Sequence, residues 1–243
     1  MVSEVTTPIG ERRAALTEWV VRAQPQMQVF RKDEDVFAHG RYDLRPELPG
    51  HPPGAILTSY DLRIVVPPDV ERVGPRVYET GNKIPRSPER HVGDDGWCCT
   101  GVFPVWRATA RDPRYIAFLD DPLRNFFIGQ VAVDEGLEWP FGEYRHGSDG
   151  VIEAAAGLLG SEATAKAVRE TLRLLPVLRE RGDSISYRTC PCGSKRVLKQ
   201  CCFGRLHALS LSHDPQIIEA IAQEVGRQMR KAKGIKPIGK EAA

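Results

Sequence analysis

The feature that most constrains this chain is a group of four cysteines within thirteen residues, which reads Cys190-Pro-Cys-Gly-Ser-Lys-Arg-Val-Leu-Lys-Gln-Cys-Cys202. Four thiolates in tetrahedral geometry satisfy a structural zinc ion completely and leave no open position for chemistry. Gly193 and Ser194 allow the tight turn that brings the first cysteine pair towards the second. We therefore predict a four-cysteine cluster that binds one structural zinc ion through Cys190, Cys192, Cys201 and Cys202.

The spacing of these cysteines resembles the SEC-C motif, a short zinc-binding module of bacterial proteins. That motif reads Cys-x-Cys-Gly-Ser and then Lys-x-Cys-Cys or Lys-x-Cys-His, and the matching residues here include Gly193, Ser194 and Lys199. In that family the module makes protein contacts, so the resemblance implies a role in binding a protein. It implies a zinc module over residues 186–206, followed by a C-terminal helix and a basic tail over residues 207–243.

The composition predicts a soluble globular protein, with 41% hydrophobic and 27% charged residues. No apolar run approaches the ~18 residues that cross a bilayer, and residues 1–10 lack the hydrophobic region of a signal peptide. In the cytoplasm thiols stay reduced, and clustered cysteines there indicate metal binding or catalysis. We therefore expect a cytoplasmic protein without a membrane partner.

The charge is unevenly distributed along the chain. From Arg188 onward there are eleven Lys/Arg and four Asp/Glu, which gives about +7, while the preceding residues carry about −5. The basic residues after Arg227 have no aromatic residues between them that would stack on nucleic-acid bases. A protein is therefore the expected partner, and a solvated tail accounts for the basic end.

Hydrophobic periodicity predicts that the chain contains both strands and helices. Strands are expected over residues 37–44, 55–67 and 73–80. Helices are expected over residues 11–30 with an end at Pro25, in the second half of 112–129, and over 150–159, 161–181 and 215–231. Ser161 and Asp214 are the predicted N-caps of the last two helices.

A second pair of cysteines lies in residues 91–101, His-Val-Gly-Asp-Asp-Gly-Trp-Cys-Cys-Thr-Gly, called here the cysteine loop. Gly96 permits a sharp turn that presents the next residues at the surface, and Trp97 is expected to anchor this turn by burial. In an extended segment one thiol would point inward and the other outward. From local chemistry alone, Cys98 and Cys99 are equally consistent with a nucleophile and with a buried structural pair.

The segment over residues 60–147 resembles the ubiquitin-conjugating (UBC-like) enzyme fold, which implies an α+β class with an antiparallel sheet flanked by helices. The resemblance rests on an alternating strand, a proline turn, a second strand, a Pro-rich stretch, and then His…Gly-x-x-Cys and a helix. That family places its catalytic cysteine three residues after a glycine and eight after the asparagine of His-Pro-Asn. Gly96 and His91 occupy those positions relative to Cys99, and Cys98 fits neither spacing. The resemblance therefore implies Cys99 as the nucleophile, with Cys98 as the alternative and packed inward.

Two histidines are further candidates for catalysis. His91 stands where the family has asparagine, and it could donate to an oxyanion or accept a proton from an incoming amine. His146 follows Trp139-Pro-Phe-Gly-Glu-Tyr-Arg, a segment in which Trp139 and Phe141 are expected to support the cysteine loop by packing. Both histidines are equally consistent with structural roles.

Within that family, the chain is similar to bacterial UBC-like proteins of antiphage operons, including short type II CBASS operons. There the enzyme stands without a fused activating domain and acts on a cGAS-like nucleotidyltransferase. The resemblance implies a UBC-like catalytic domain over residues 1–160 and a connecting helix over residues 161–185. It also implies an acyl transferase that uses a cysteine thioester to attach a protein C-terminus to an acceptor. Two alternatives stay open: a cysteine deconjugase of the same linkage, and a non-catalytic zinc-containing adaptor.

Overall fold

The computed structural model describes residues 6–45, 54–142 and 144–232, and it divides the chain into two compact units. The first unit takes the residues up to 103 and 111–143, and the second takes 104–110 and the residues from 144 onward. In chain order, the α-helices of the described residues are α1 (Ile9–Ala23), α2 (Val70–Val73), α3 (Phe103–Thr109), α4 (Tyr115–Asp120), α5 (Pro122–Asp134), α6 (Ser148–Leu159), α7 (Ala165–Arg181), α8 (Phe203–Ser212) and α9 (Pro215–Ala232). None of these helices is long and apolar enough to cross a membrane.

A four-stranded antiparallel sheet forms the centre of the first unit, and its strands lie side by side in sequence order. The strands are β1 (Met27–Lys32), β2 (Asp35–Leu44), β3 (Thr58–Val66) and β4 (Arg76–Glu79). In β3 every second side chain is buried, as the alternating pattern predicted: Tyr60, Leu62, Ile64 and Val66. Pro67 follows Val66 and has no N–H to donate to a neighbouring strand, which ends β3 there.

The predicted end of the first helix at Pro25 is confirmed, but the predicted extent to residue 30 is wrong. Helix α1 ends at Ala23, and Met27–Lys32 is β1, which pairs with β2. Pro25 interrupts the helical hydrogen bonds, and the residues that follow it pair with β2 instead. Gly40 on β2 makes this pairing possible, because a Cβ there would lie 2.6 Å from the Gln26 carbonyl oxygen.

Helix α5 packs its aromatic side chains on the sheet. The ring of Phe127 lies 5.1 Å from that of Tyr42 and 4.4 Å from that of Tyr60. Helix α1 is tied to the end of β3 by buried Arg12, whose Nη1 donates to the Val66 carbonyl oxygen at 2.8 Å. The predicted mixed α+β class, with an antiparallel sheet and helices, is therefore confirmed.

In the second unit, α6 packs on α7 and α9, and α8 packs on α7. The predicted UBC-like domain over residues 1–160 includes α6. The structure groups it instead with the later helices, because its buried face meets α7 and α9; that face consists of Gly150, Val151, Ile152, Ala154, Ala155, Ala156 and Leu159. Small side chains on this face allow the close approach of neighbouring helices.

Of the two predicted N-caps, the one for α7 is wrong and the one for α9 is confirmed. Ser161 is not the cap of α7: the Thr164 hydroxyl accepts a hydrogen bond from the Ala167 N–H at 3.2 Å, so the helix begins later than predicted. Asp214 is confirmed before α9, because its carboxylate accepts from the Gln216 N–H at 2.9 Å.

Candidate functional site

The cysteine loop is held against β4 by a close backbone contact at Gly96. Gly96 has φ +84°, and a Cβ there would lie 2.4 Å from the Glu79 carbonyl oxygen. The Glu79 N–H donates to the Gly96 carbonyl oxygen, and the Cys98 N–H donates to that of Val77, both at 2.8 Å. The predicted glycine turn is confirmed. The predicted burial of Trp97 is wrong, since that residue is 43% exposed and the backbone contact anchors the turn instead.

The two thiols of the loop lie on opposite sides of the chain. Cys98 is 1% exposed, and burial raises the pKa of its thiol to about 12. Cys99 is exposed. The backbone here is extended, since Val92 and Cys98 form an antiparallel bridge, and consecutive side chains therefore alternate. The expectation of one inward and one outward thiol is confirmed, while the choice of nucleophile stays a prediction.

The surroundings of Cys99 do not ionise its thiol at rest. Although the residue is exposed at the surface, desolvation by the neighbouring protein raises the pKa of the thiol. The backbone N–H of Gly101 acts in the opposite sense, because a hydrogen bond to the thiolate favours it. The resting thiol is therefore neutral near pH 7. Nucleophilic attack by Cys99 requires removal of the proton as the reaction proceeds.

His91 lies beside Cys99 through the backbone and beside Trp139 through its side chain. The Cys99 N–H donates to the His91 carbonyl oxygen at 2.8 Å. The imidazole ring is 5.1 Å from the ring of Trp139. Trp139 in turn packs over Gly129 of α5, where a Cβ would lie 2.6 Å from the indole. Packing of Trp139 against the cysteine loop is thus confirmed, whereas Phe141 is 48% exposed.

His146 is assigned to a different unit from the cysteine loop. It is an exposed residue of the second unit, just before α6, whereas Cys99 and His91 belong to the first. The following Gly147 has φ +68°, so the chain turns sharply before the helix begins. A catalytic role for His146 stays a prediction.

Two polar networks that the sequence analysis did not identify hold the cysteine loop. In the first, the Glu79 carboxylate is fully buried and lies 3.1 Å from Arg86 Nη1. Its other oxygen accepts from the N–H groups of Gly81 at 2.9 Å and Lys83 at 3.2 Å. Glu79 lies two residues after buried Val77 in β4, so the two side chains are on the same face of the strand. A carboxylate on the buried face of β4 was therefore the available sequence signal.

The second network joins the residue before His91 to α5. Arg90 Nε donates to Gln130 Oε1 at 2.8 Å, and Gln130 Nε2 donates back to the Arg90 carbonyl oxygen at 2.7 Å. Arg90 Nη2 also lies 2.6 Å from Asp134 Oδ1. These partners are about forty residues apart, so no local pattern points to them. The start of the cysteine loop is thereby fixed to a helix that packs on the sheet.

The four-cysteine cluster has the geometry of a metal site. Its four sulfur atoms all lie within 4.8 Å of one another. Cys192 Sγ is 3.3 Å from Cys190 Sγ and 3.5 Å from Cys201 Sγ, and Cys201 Sγ is 3.5 Å from Cys202 Sγ. A tetrahedral zinc ion with Zn–S bonds of ~2.3 Å requires S···S distances of ~3.8 Å. The four sulfurs can therefore surround one metal ion with only small adjustments.

The surroundings favour the thiolate, the form that binds metals, at two of the four cysteines, whereas burial raises the pKa of the Cys190 and Cys202 thiols. The Ser194 hydroxyl lies 3.2 Å from Cys201 Sγ, and Arg196 Nη2 donates to the same sulfur at 3.5 Å. The hydrogen bond from Ser194 lowers the pKa of the Cys201 thiol. For Cys192, burial opposes the change, but hydrogen bonds, first from Ser194, bring its pKa down to about 6. Gly193, with φ +92°, makes the turn that brings these groups together.

No protein family, curated protein or solved structure matches this chain. Function is therefore inferred from the cysteine loop and from the four-cysteine cluster, which can bind a metal ion.

Proposed function

We propose that the protein is a UBC-like transferase in which Cys99 carries a protein C-terminus as a thioester. The observation that supports this most strongly is an exposed thiol, beside a buried one, on a loop that directly follows a helix and a four-stranded antiparallel meander. The resemblance to ubiquitin-conjugating enzymes rests on the part of this element order that begins at β3. The structure adds α1, β1 and β2 before it.

The reaction consists of two acyl transfers. In the first, the sulfur of Cys99 attacks the activated carbonyl of a protein C-terminus held as a thioester on an activating protein. The new C–S bond forms, the old one breaks, and the leaving thiolate receives the proton that Cys99 gives up. In the second, an acceptor amine attacks the Cys99 thioester, the amide bond forms as the C–S bond breaks, and the proton lost by the amine goes to the Cys99 thiolate. The protein's main contribution is to position the reacting groups.

The histidine at position 91 is compatible with this role because of its backbone conformation. His91 has φ +52°, in the left-handed region. Asn, Asp and His are the non-glycine residues enriched in this region, so a histidine can replace the family's asparagine without changing the course of the loop. Its ring, placed by Trp139, would then act on the oxyanion or on the incoming amine.

The four-cysteine cluster is proposed to hold one structural zinc ion in a SEC-C module. With four protein ligands, such an ion stabilises the fold of residues 186–206 and takes no part in the reaction. Following the resemblance, the protein whose C-terminus is attached is a cGAS-like nucleotidyltransferase, and the process is antiphage defence in the bacterial cytoplasm.

The raised pKa of Cys99 bears on only one of the two alternatives. A cysteine hydrolase of the same linkage and the transferase both need the Cys99 thiolate, so the raised pKa of this thiol does not distinguish them. A non-catalytic zinc-containing adaptor is the second candidate function, because a neutral thiol and a histidine in place of asparagine are both compatible with a loop that only binds.

The test uses cells that express the protein with its genomic neighbours, followed by mass spectrometry of Cys99 and of cross-linked peptides. We expect Cys99→Ala to abolish conjugates and Cys98→Ala to retain them. Cys99→Ser should trap an oxygen ester that resists reducing agents. Conjugates that survive Cys99→Ala but not Cys98→Ala would reassign the nucleophile. Absence of any acyl group at this position, both in the parent protein and in the Cys99→Ser variant, would favour the adaptor. Cleavage of a purified conjugate by the protein alone would favour the deconjugase.

A further inference from the structure

The second unit contains a groove of about 780 Å³ between α7 and α9. Its accessible apolar lining consists of Pro176, Pro215, Ala222 and Met229, whereas the lining residues Leu172, Leu175 and Ile218 are themselves buried. The groove lies outside the cysteine loop and the four-cysteine cluster. Its size and apolar walls are those of a binding site for a partner's side chains.

The groove is elongated rather than compact. Its lining residues run from 169 to 180 on α7 and from 215 to 230 on α9. At 1.5 Å per residue these stretches are ~17 Å and ~23 Å long. A helix of three to four turns has the same length. An amphipathic helix that lies in a groove buries apolar residues spaced three and four apart, and the walls of this groove offer an apolar surface over that distance.

The two helices run antiparallel, which places three of the four arginines that line the groove at one end. Arg179, near the end of α7, donates to the carbonyl oxygens of Ser210 and His213, just before α9 begins. The opposite end of the groove therefore combines the first half of α7 with the last turns of α9. Its arginines are Arg169, Arg173 and Arg230.

These three guanidinium groups are available to a partner. Within the part of the chain that the structure describes, none of the three forms an ion pair, and all three residues are exposed. The two acidic lining residues, Glu180 and Glu219, lie at the other end. A partner helix whose acidic residues cluster at one end would therefore complement the groove in charge and in orientation.

The chain's own C-terminal segment lacks this chemistry. Residues 233–243 carry lysines at 233, 236 and 240 against a single glutamate. Positive charge next to the three arginines would be repulsive. The occupant is therefore a different segment.

We propose that the α7–α9 groove binds an amphipathic helix of a partner protein, with its acidic end at Arg169, Arg173 and Arg230. As the site that recruits the protein substrate, it rests on the proposed transferase function. The docking itself does not depend on Cys99 chemistry, because the groove involves neither the cysteine loop nor a metal ligand.

The experiment measures fluorescence anisotropy of labelled peptides with the full-length Cys99→Ala protein, which cannot form a thioester. The probes are 16-residue helical peptides with one leucine stripe at i, i+3, i+4 and i+7. One version has three glutamates in its last turn, and the other has three lysines there. We expect saturable binding of the acidic peptide only, with affinity that falls as salt screens the charges.

Variants of the protein locate the site. Arg173→Glu should weaken binding of the acidic peptide about tenfold or more, and Ala222→Trp should block the groove. Lys166→Glu is the matched control, since it reverses an exposed charge on α7 that does not line the groove. It should change affinity less than threefold. Circular dichroism and metal content verify that each variant is folded.

Several outcomes would overturn the proposal. These are equal binding of the two peptides, no saturable binding of the acidic peptide below 1 mM, or equal effects of Arg173→Glu and Lys166→Glu. Self-association that Ala222→Trp abolishes would assign the groove to a second copy of the chain and would also overturn it. If the peptide does not bind but Cys99 of the parent protein is still acylated, this inference alone is refuted. If the peptide binds but Cys99 is not acylated, only the proposed chemistry is refuted.

Discussion

Replacement of Gly96 by alanine should destabilise the first unit far more than the same change at Gly136. Both glycines have a positive φ, +84° and +76°, so alanine incurs a similar conformational penalty of about 1–2 kcal/mol at each. Only at Gly96 would the new Cβ meet protein, 2.4 Å from the Glu79 carbonyl oxygen, whereas nothing lies within 4 Å of it at Gly136.

The magnitude follows from what the clash displaces. Ordinary contacts of a Cβ begin near 3.4 Å, so the loop must move away from β4 by most of an ångström. That movement breaks the 2.8 Å hydrogen bonds from Glu79 to Gly96 and from Cys98 to Val77. Each contributes about 1 kcal/mol net. We expect a loss of about 3–4 kcal/mol for Gly96→Ala and of about 1–2 kcal/mol for Gly136→Ala.

The assay is urea denaturation followed by tryptophan fluorescence. Three of the four tryptophans, Trp19, Trp97 and Trp139, lie in the first unit, so the signal reports mainly on that unit. Gly96→Ala should also increase the reactivity of Cys98 towards thiol reagents. Equal midpoints for the two variants would refute the reasoning, because the close approach of the loop to β4 would then contribute nothing to stability.

Three further predictions concern the thiols and α7. Removal of metal by a strong chelator should raise the number of reactive thiols by four; an unchanged count by Ellman titration would contradict a metal-bound cluster. Because the pKa of Cys99 is raised, its thiolate fraction at neutral pH is below that of a free cysteine. Its alkylation by iodoacetamide should therefore keep accelerating above pH 9, and a plateau below pH 8 would contradict this environment. Thr164→Ala should cost about 1 kcal/mol in thermal or chemical unfolding through loss of the α7 cap, whereas Ser161→Ala should be nearly neutral; the reverse ranking would restore Ser161 as the cap.

The features that sequence could predict are those with local causes. Alternation over residues 60–66 determines which side of β3 is buried, and the glycine at position 96 determines where the chain turns. The four-cysteine cluster is the clearest case, because its residues are separated by at most twelve positions and all four can bind the same metal ion. In each of these examples the prediction depends only on residues that are close together in the sequence.

The features that sequence missed depend on distant partners. Residues 27–32 are a strand because they pair with β2, a partner that lies outside the segment itself. The contact between Arg90 and Gln130 spans forty residues. Burial of α6 depends on α7 and α9, so its place in the second unit could not be read from its own residues. Trp97 is exposed because backbone hydrogen bonds already hold the turn, and an apolar side chain is not needed there.

The chain passes between the two units three times, after residues 103, 110 and 143. Its second unit includes residues 104–110, with Val105 and Ala108 buried and the ring of His213 contacting the Ala108 carbonyl oxygen. During synthesis on the ribosome, residues 104–110 therefore stay unpacked until helices that lie more than thirty residues later in the chain have been made. A fragment cut after residue 143 would retain these residues without their partners, and the complementary fragment would lack them. We therefore expect either half, expressed by itself, to be prone to aggregation and proteolysis.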